Sequence, residues 1–170
     1  MRIASPLVSL AATAVLAACA APRADVAPHG RHPSHGDSAF AALQERGRQA
    51  MGVDQYSSSH QFDDLADGGR IALQRDGEDP EGVAVIRAHM REIADAFSRG
   101  DFSTPMMVHM REVPGSERMA ARRTAIRYEY RELPRGGEVR IITRDPEALR
   151  AVHKFLAFQR SDHRAAGHAM

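Results

Sequence analysis

Apolar residues recur at helical spacing in two stretches of the chain, residues 81–99 and residues 146–162. Asp-Pro-Glu stands at the start of each stretch; its Asp can cap a helix and its Pro can occupy the first turn. Gly100, a residue typical of helix C-termini, ends the first stretch. The pattern predicts two amphipathic helices, whose apolar stripes contain Ile86, Met90, Ile93 and Phe97 in the first and Leu149, Val152, Phe155 and Leu156 in the second.

A segment typical of a β-hairpin precedes each predicted helix. Residues 65–73 resemble residues 133–141, with a Gly-Gly pair at the same place in both. A strand is predicted before each pair, over residues 58–65 and 124–133, and an alternating strand after it. The similarity predicts a duplication, with chance as the alternative because Gly-Gly and Asp-Pro are common turn and cap sequences.

The two copies, about residues 57–100 and 123–163, are interpreted as ββα units. Each unit alone has one apolar sheet face and one apolar helix stripe, and pairing the units buries both. We therefore predict an α+β fold in which duplicated ββα units form a four-stranded antiparallel sheet packed by two helices. This single domain is expected to span residues 51–170.

The amino terminus has the pattern of a bacterial lipoprotein signal. Arg2 precedes a short apolar stretch that runs into Leu16-Ala17-Ala18-Cys19, a lipobox. The stretch is too short for a membrane span. Residues 1–18 are therefore predicted to be a signal peptide, and Cys19 to be the acylated first residue of the mature protein. The alternative is an ordinary signal peptide followed by a chance cysteine.

Residues 19–50 are predicted to be a disordered, histidine-containing tether, although a helix is allowed over residues 38–52. His29, His32 and His35 recur in it at three-residue spacing, which suits either loose metal capture or a plain spacer. A lipid at Cys19 would anchor the protein to a membrane of the cell envelope, facing the periplasm. Ala20 follows the cysteine, which implies the outer membrane if the source is a proteobacterium.

Charge and cysteine content limit the partners and the reactive groups that are expected of the protein. The chain has 23 Lys and Arg against 22 Asp and Glu, and removal of Arg2 with the signal leaves 22 of each. Without a basic excess, no nucleic-acid partner is expected. Cys19 is the single cysteine, so lipidation leaves no thiol for a disulfide or a catalytic nucleophile. A metal site would have to consist of imidazole, thioether and carboxylate groups.

Histidines supply the candidate site. The alternation of the first strand places His60 on the same side as Phe62, and His89 lies beside the apolar stripe of the first helix. His153 lies at the margin of the second stripe. We predict that a metal ion is bound by a set of these residues, namely His60, His89, His109, His153 and His163, with Asp145 and Asp162 as supporting carboxylates. The alternative is that each histidine is hydrogen-bonded in or near the core.

The connection between the two units, residues 101–123, contains Pro105, Pro114 and Gly115 and is not expected to form a long regular element. It holds Met106-Met107-Val108-His109-Met110, followed by Met119. Thioether and imidazole groups together suit Cu(I), whereas His with carboxylates also suits Zn(II). The alternative is that these methionines fill an edge of the core.

Sequence signatures of common enzymes are missing: there is no Gly-x-Ser-x-Gly, His-Glu-x-x-His or P-loop pattern. Catalysis is therefore the less favoured interpretation. Two functions are predicted. The first is a lipid-anchored envelope protein that binds a transition metal, copper favoured and zinc as the alternative. The second is a metal-free envelope module that binds a protein or a small ligand.

Several motifs resemble a family of small, largely uncharacterised bacterial envelope lipoproteins, over most of residues 50–168. They are His-x-Phe before Asp-Gly-Gly, Ile-Arg-x-His-Met with Ala-Phe-x-x-Gly-Asp-Phe, and Asp-Pro-Glu-Ala with His-Lys-Phe-Leu-x-Phe-Gln. The resemblance implies an envelope location and no established activity. Similar sequences often have two adjacent histidines at positions 60 and 61, which weakens a ligand role for Gln61. The label aspartate carbamoyltransferase, attached to some of them, is rejected because this chain is too short and lacks Ser-x-Arg-Thr-Arg.

Overall fold

A four-stranded antiparallel sheet with helices against one face forms the centre of the computed structural model, which describes residues 35–167. The predicted α+β class and the predicted sheet are confirmed. The elements are α1 (His35–Met51), β1 (Ser58–Leu65), β2 (Gly68–Arg75), α2 (Pro80–Ser98), α3 (Ser103–His109), α4 (Ser116–Ala121), β3 (Ile126–Leu133), β4 (Gly136–Thr143) and α5 (Pro146–Asp162).

The sheet joins the two hairpins through their second strands, in the order β1-β2-β4-β3. Two-residue loops connect β1 to β2 and β3 to β4, so each Gly-Gly pair begins a strand rather than forming the turn itself. Close packing explains why glycine stands at these positions. A Cβ on Gly69 would collide with Leu156 of α5, and a Cβ on Gly136 would collide with the carbonyl of Leu73. Only glycine lets the helix and the neighbouring strand come this close.

Alternation along the strands sorts apolar and charged residues to opposite faces. Phe62 is paired with Ile71, and Ile71 with Val139; these three side chains are buried under the helices. The opposite face carries ion pairs, such as Arg70 with Asp63 and with Glu138. One face of the sheet is therefore the floor of the core, and the other is polar.

The two long helices begin at the aspartates predicted to cap them. The side chain of Asp79 accepts a hydrogen bond from the Gly82 N–H, and that of Asp145 accepts from the N–H groups of Glu147 and Ala148. Helix α2 packs mainly on β3 and β4, whereas α5 packs mainly on β1 and β2. Each helix thus covers the hairpin of the other unit, so neither ββα unit buries its own apolar surface alone.

Three helices outside the ββα units complete the described fold. Helices α3 and α4 are short, as the prolines in the connection predicted. Helix α1 occupies residues that had been assigned to the tether, and it overlaps the helix that the sequence allows over residues 38–52. The side chains of Leu43 and Met51 explain the difference, since both are buried against the domain and secure the helix to it.

The predicted signal peptide, Cys19 and the first part of the tether, with His29 and His32, lie outside the described residues. Among residues 35–167, no helix is long and apolar enough to cross a membrane.

A short segment after α5 returns to the edge of the sheet. The N–H of Phe62 donates to the carbonyl of Ala166 at 3.0 Å, and Gln61 and Ala166 form a parallel bridge. Arg160 adds a hydrogen bond from its guanidinium to the Phe62 carbonyl at 2.9 Å. The turn that starts the segment includes Arg164 at φ 50°, in the left-handed region. These contacts hold His163 against β1.

Candidate histidine site

Four of the five histidines predicted as metal ligands line one small cavity of about 70 Å³. His60 comes from β1, His89 from α2, His109 from the end of α3, and His163 from the residue after α5. Positions far apart in the sequence are therefore brought together by the sheet, the connection and the C-terminal segment. We call these four residues the histidine cluster.

The rings of three members of the cluster lie about 5 Å apart. The ring centres of His60 and His163 are 4.9 Å apart with their planes inclined by 28°, and those of His109 and His163 are 5.0 Å apart and nearly perpendicular. His60 also stacks on Phe62, at 5.7 Å. His163 is therefore the central ring, in contact with an imidazole on each side.

The cavity favours neutral imidazoles. Burial lowers the pKa of His60 to about 3, with a further contribution from His163, His89 and His109. Burial and the neighbouring His109 lower the pKa of His163 to about 4, against the opposing effect of Asp162. Burial also lowers the pKa of His89. Neutral rings at ordinary pH keep a nitrogen lone pair available, which metal coordination requires.

His109 is held at both ring nitrogens. Its Nδ1 lies 2.5 Å from Oδ2 of Asp162, and its Nε2 lies 2.9 Å from Oε1 of Gln159. An ionised carboxylate only accepts hydrogen bonds, so Nδ1 is the donor to Asp162. In the neutral ring Nε2 is then an acceptor, and it pairs with Gln159 when the amide presents its NH₂ group instead. A hydrogen on Nδ1 thus leaves the lone pair on Nε2, the nitrogen that contacts Gln159 in the cavity wall.

One nitrogen in the cluster has no partner among the described residues. Nδ1 of His163 is shielded from solvent and makes no hydrogen bond within residues 35–167. A buried polar atom without a partner costs free energy, about 1–3 kcal/mol for an ordinary donor or acceptor. This nitrogen is therefore available to a guest.

Most of the remaining cavity wall is apolar. Two thioether side chains, Met51 from α1 and Met90 from α2, contribute to it. Neither is recognisable as a site residue from the sequence, since Met90, for example, lies in the apolar stripe of α2 and has the pattern of a core residue. The rest of the wall is formed by Phe62, Ile71, Ile93, Phe97, Thr104, Pro105, Val108, Phe155 and Gln159.

His153, the fifth predicted ligand, lies outside the cavity. Its Nε2 is 3.0 Å from the carbonyl oxygens of both Leu65 and Gly68, at the turn between β1 and β2. The ring thus joins α5 to the first hairpin, which agrees with the alternative of a hydrogen-bonded core histidine.

The three methionines around His109 do not line the cavity of the histidine cluster. Met106, Met107 and Met110 are 47%, 53% and 72% exposed, so neither the predicted thioether ligation within the cluster nor the core-filling alternative describes them. Met119, by contrast, is fully buried and belongs to the core. A short helix has only one buried side, and in α3 Pro105, Val108 and His109 occupy it.

Of the two predicted supporting carboxylates, only Asp162 contacts the cluster. The signal for it in the sequence was its position next to His163, although it pairs with His109 instead. Asp145 caps α5 and forms an ion pair with Arg122 at 2.7 Å.

As the side chains stand, no group of three or more His, Cys, Asp or Glu within residues 35–167 is arranged to hold a metal ion. No protein-family model, curated protein or solved structure matches the chain.

Proposed function

We propose that the protein is a lipid-anchored protein of the bacterial cell envelope whose folded domain binds a transition-metal ion at the histidine cluster. Copper is favoured and zinc is the alternative. The observation that carries the proposal is the convergence of His60, His89, His109 and His163 on one cavity. Imidazole nitrogen is a ligand shared by copper and zinc sites.

The ring spacing supports shared ligation. Two imidazoles on one tetrahedral ion, each bonded at about 2.0 Å, have ring centres roughly 5 Å apart. The spacings of 4.9 Å between His60 and His163 and 5.0 Å between His109 and His163 are near this value. Binding then requires side-chain rotation, because the present rings do not direct their nitrogens to one point. It also requires Gln159 to release Nε2 of His109.

The carboxylate behind His109 adds support. Histidines that bind metals commonly donate their second ring N–H to a carboxylate, which fixes the tautomer and raises the basicity of the ligating nitrogen. The contact between Asp162 and Nδ1 of His109 has this form. Copper is favoured because the thioethers of Met51 and Met90 line the same cavity, and thioether is a ligand for Cu(I) rather than for Zn(II).

The metal proposal is tested by equilibrium dialysis of the full chain against Cu(I) under reducing conditions, and separately against Zn(II). The informative variant replaces His60 and His163 together with phenylalanine, which keeps two flat rings in place while removing their nitrogens. We expect one ion per wild-type chain at the cluster and its loss in the double variant. His153→Gln is the matched control within the fold, and is expected to retain the ion.

The tether histidines need a separate control. Replacing His29, His32 and His35 with alanine should leave the tight site intact, because the cavity proposed to hold the ion is lined by described residues between Met51 and His163. Equal uptake by wild type and by the His60 and His163 double variant would refute the metal proposal. Bound metal should raise the Tm of the wild-type protein and not that of the double variant, since a ligand that binds the folded state stabilises it.

A metal-free module is the second candidate. The mainly apolar wall and the absence of a ready metal group within residues 35–167 favour it. In that case the cavity binds a small apolar molecule, and neither Cu(I) nor Zn(II) raises the Tm of the wild-type protein.

Anchoring at Cys19 is tested independently of the metal. The lipobox Leu16-Ala17-Ala18-Cys19 and the motif resemblance to envelope lipoproteins support it. Bacteria that express the full chain and are fed labelled palmitate should incorporate label into the wild type and not into Cys19→Ser. Label retained by the variant would refute lipidation at this residue.

A further inference from the structure

An open groove of about 470 Å³ lies on the outer side of the wall that encloses the histidine cluster. His109 and Asp162 line this groove, and His109 also lines the inner cavity. Three arginines from different parts of the chain, Arg46, Arg111 and Arg164, surround it. The remaining lining residues are Ala39, Phe40, Leu43 and Ser161. We call it the arginine groove.

Each guanidinium of the groove is positioned by a contact within the fold. Arg111 lies over the ring of Phe158, 4.6 Å from its centre, and Arg164 lies over Phe40 at 4.3 Å. Nε of Arg46 donates to the carbonyl of Val108 at 2.6 Å. Stacking and hydrogen bonding restrict the rotamers, so less side-chain entropy is lost when the guanidinium groups bind something else.

Two carboxylates form ion pairs with these arginines at long distances: Asp162, which lines the groove, and Asp37. Arg111 lies 3.6 Å from Oδ1 of Asp162, and Arg164 lies 3.5 Å from Asp37. Both arginines are more than half exposed, with side-chain exposures of 60% and 53%. Ion pairs this exposed contribute little, because water and salt screen them. Asp162 is in addition held by His109 through its other oxygen, Oδ2.

We propose that the arginine groove binds a small dianion that carries carboxylate or phosphate groups. Guanidinium recognises both through paired, charge-assisted N–H to oxygen hydrogen bonds. All three guanidinium groups line the same groove, so a dianion there can accept hydrogen bonds from Arg46, Arg111 and Arg164 together. Phe40 and Leu43 offer an apolar wall for a short carbon chain.

The site does not depend on the metal proposal, and it is tested in metal-free protein. The full chain is titrated with succinate in one series and with inorganic phosphate in another, while NMR follows the arginine Nε–H signals. We expect saturable shifts at Arg46, Arg111 and Arg164 in at least one series. Tighter binding of succinate identifies a carboxylate ligand, and tighter binding of phosphate identifies a phosphate-bearing one.

Arg111→Gln and Arg164→Gln are the informative variants, since glutamine keeps a polar side chain without the charge. We expect each to weaken anion binding by about tenfold or more, the effect of losing one charged hydrogen-bonding group. Arg150→Gln is the matched control, because Arg150 lines a separate surface cleft. Shifts that never saturate, or equal affinity in Arg111→Gln, Arg164→Gln and Arg150→Gln, would overturn the proposal.

Discussion

Equivalent positions of the two ββα units carry rings of different chemistry. Counted from the Gly-Gly pairs, His60 of β1 corresponds to Tyr128 of β3. Counted from the capping aspartates, Phe97 of α2 corresponds to His163 after α5. One side of the core, the histidine side, thus contains His60 against His163. The other, the aromatic side, contains Tyr128 against Phe97, and the ring centres of this second pair are 5.8 Å apart.

The aromatic side is closed by ring contacts. Phe97 stacks on Phe102 at 4.3 Å and meets Phe155 edge-on at 5.8 Å. The histidine rings lie at similar distances from one another, and they line the cavity together with Phe97 and Phe155. The fold therefore accepts a carbon ring at these positions, and imidazole is not needed for packing. This difference favours a chemical role for His60 and His163.

The largest effect is expected on the aromatic side. Phe102→Ala removes a buried ring that packs on Phe97 and Phe155, and large-to-small changes of this kind cost about 3–5 kcal/mol. Urea unfolding followed by circular dichroism measures the loss. His163→Phe is the comparison on the histidine side, and we expect its free energy of unfolding to remain within about 1.5 kcal/mol of wild type. Equal losses of unfolding free energy in Phe102→Ala and His163→Phe would contradict the contrast between the aromatic side and the histidine side.

Acid should destabilise the metal-free protein through its histidine side. The folded-state pKa values of His60 and His163, about 3 and about 4, lie below the value of 6.5 for an unperturbed histidine. The unfolded chain then binds more protons at these two residues between these limits, so their contribution to stability is constant above about pH 6.5 and falls as the pH decreases toward 4. We expect the free energy of unfolding to fall by on the order of 1 kcal/mol per pH unit in this range, a value that already allows for the partial exposure of the two rings.

The paired variant assigns this pH dependence to the two rings. With His60 and His163 both changed to phenylalanine, the curve of Tm against pH between 6.5 and 4 should become flatter than in the wild type. An unchanged slope would place the acid sensitivity elsewhere in the protein.

A smaller effect is expected at the carboxylate behind His109. Asp162→Asn keeps the shape of the side chain but removes the charge that orients Nδ1 of His109. Loss of such a partner typically weakens metal binding by about 10–100-fold. Competition with a chelator of known affinity measures the change, and Asp145→Asn is the control at a carboxylate that does not contact the cluster. An undiminished affinity in Asp162→Asn would remove this carboxylate from the site.

The smallest effect is expected outside both sides of the core. Met106→Leu and Met110→Leu change exposed thioethers to isosteric hydrocarbons, and surface changes of this kind alter stability by less than about 0.5 kcal/mol. The amount of metal held at the cluster should also be unchanged. Reduced uptake at that site would show that the exposed run of α3 takes part in it after all.

Local sequence patterns were sufficient for the elements of the two ββα units, although not for α3 and α4 between them. The strand predicted over residues 58–65 and the helix predicted over 146–162 coincide with β1 and α5. Alternation, helical spacing and capping aspartates are short-range signals, and the repeat doubled each of them. Helix α1 was harder to predict, because its few buried residues are visible only once the domain they pack on is known.

The site was predictable only in part. Inward-facing His60 and His89 follow from strand and helix periodicity, but the meeting of His109 with His163 depends on the path of the connection and of the C-terminal segment. The exposure of Met106 and Met107 depends on which side of a seven-residue helix faces the core. Periodicity over so few residues does not determine that side.

The bridge between Gln61 and Ala166 has a consequence for association between molecules. Strand β1 is one edge of the sheet, and an uncovered edge invites pairing with the edge of another chain. The C-terminal segment already occupies the Phe62 N–H at the middle of this edge, so an incoming strand finds its register blocked. At the other edge, β3 carries alternating charges on Arg127, Glu129 and Arg131. Protein cut after residue 162 would lose the blocking segment, and pairing of two molecules through their β1 strands becomes the expected mode of association.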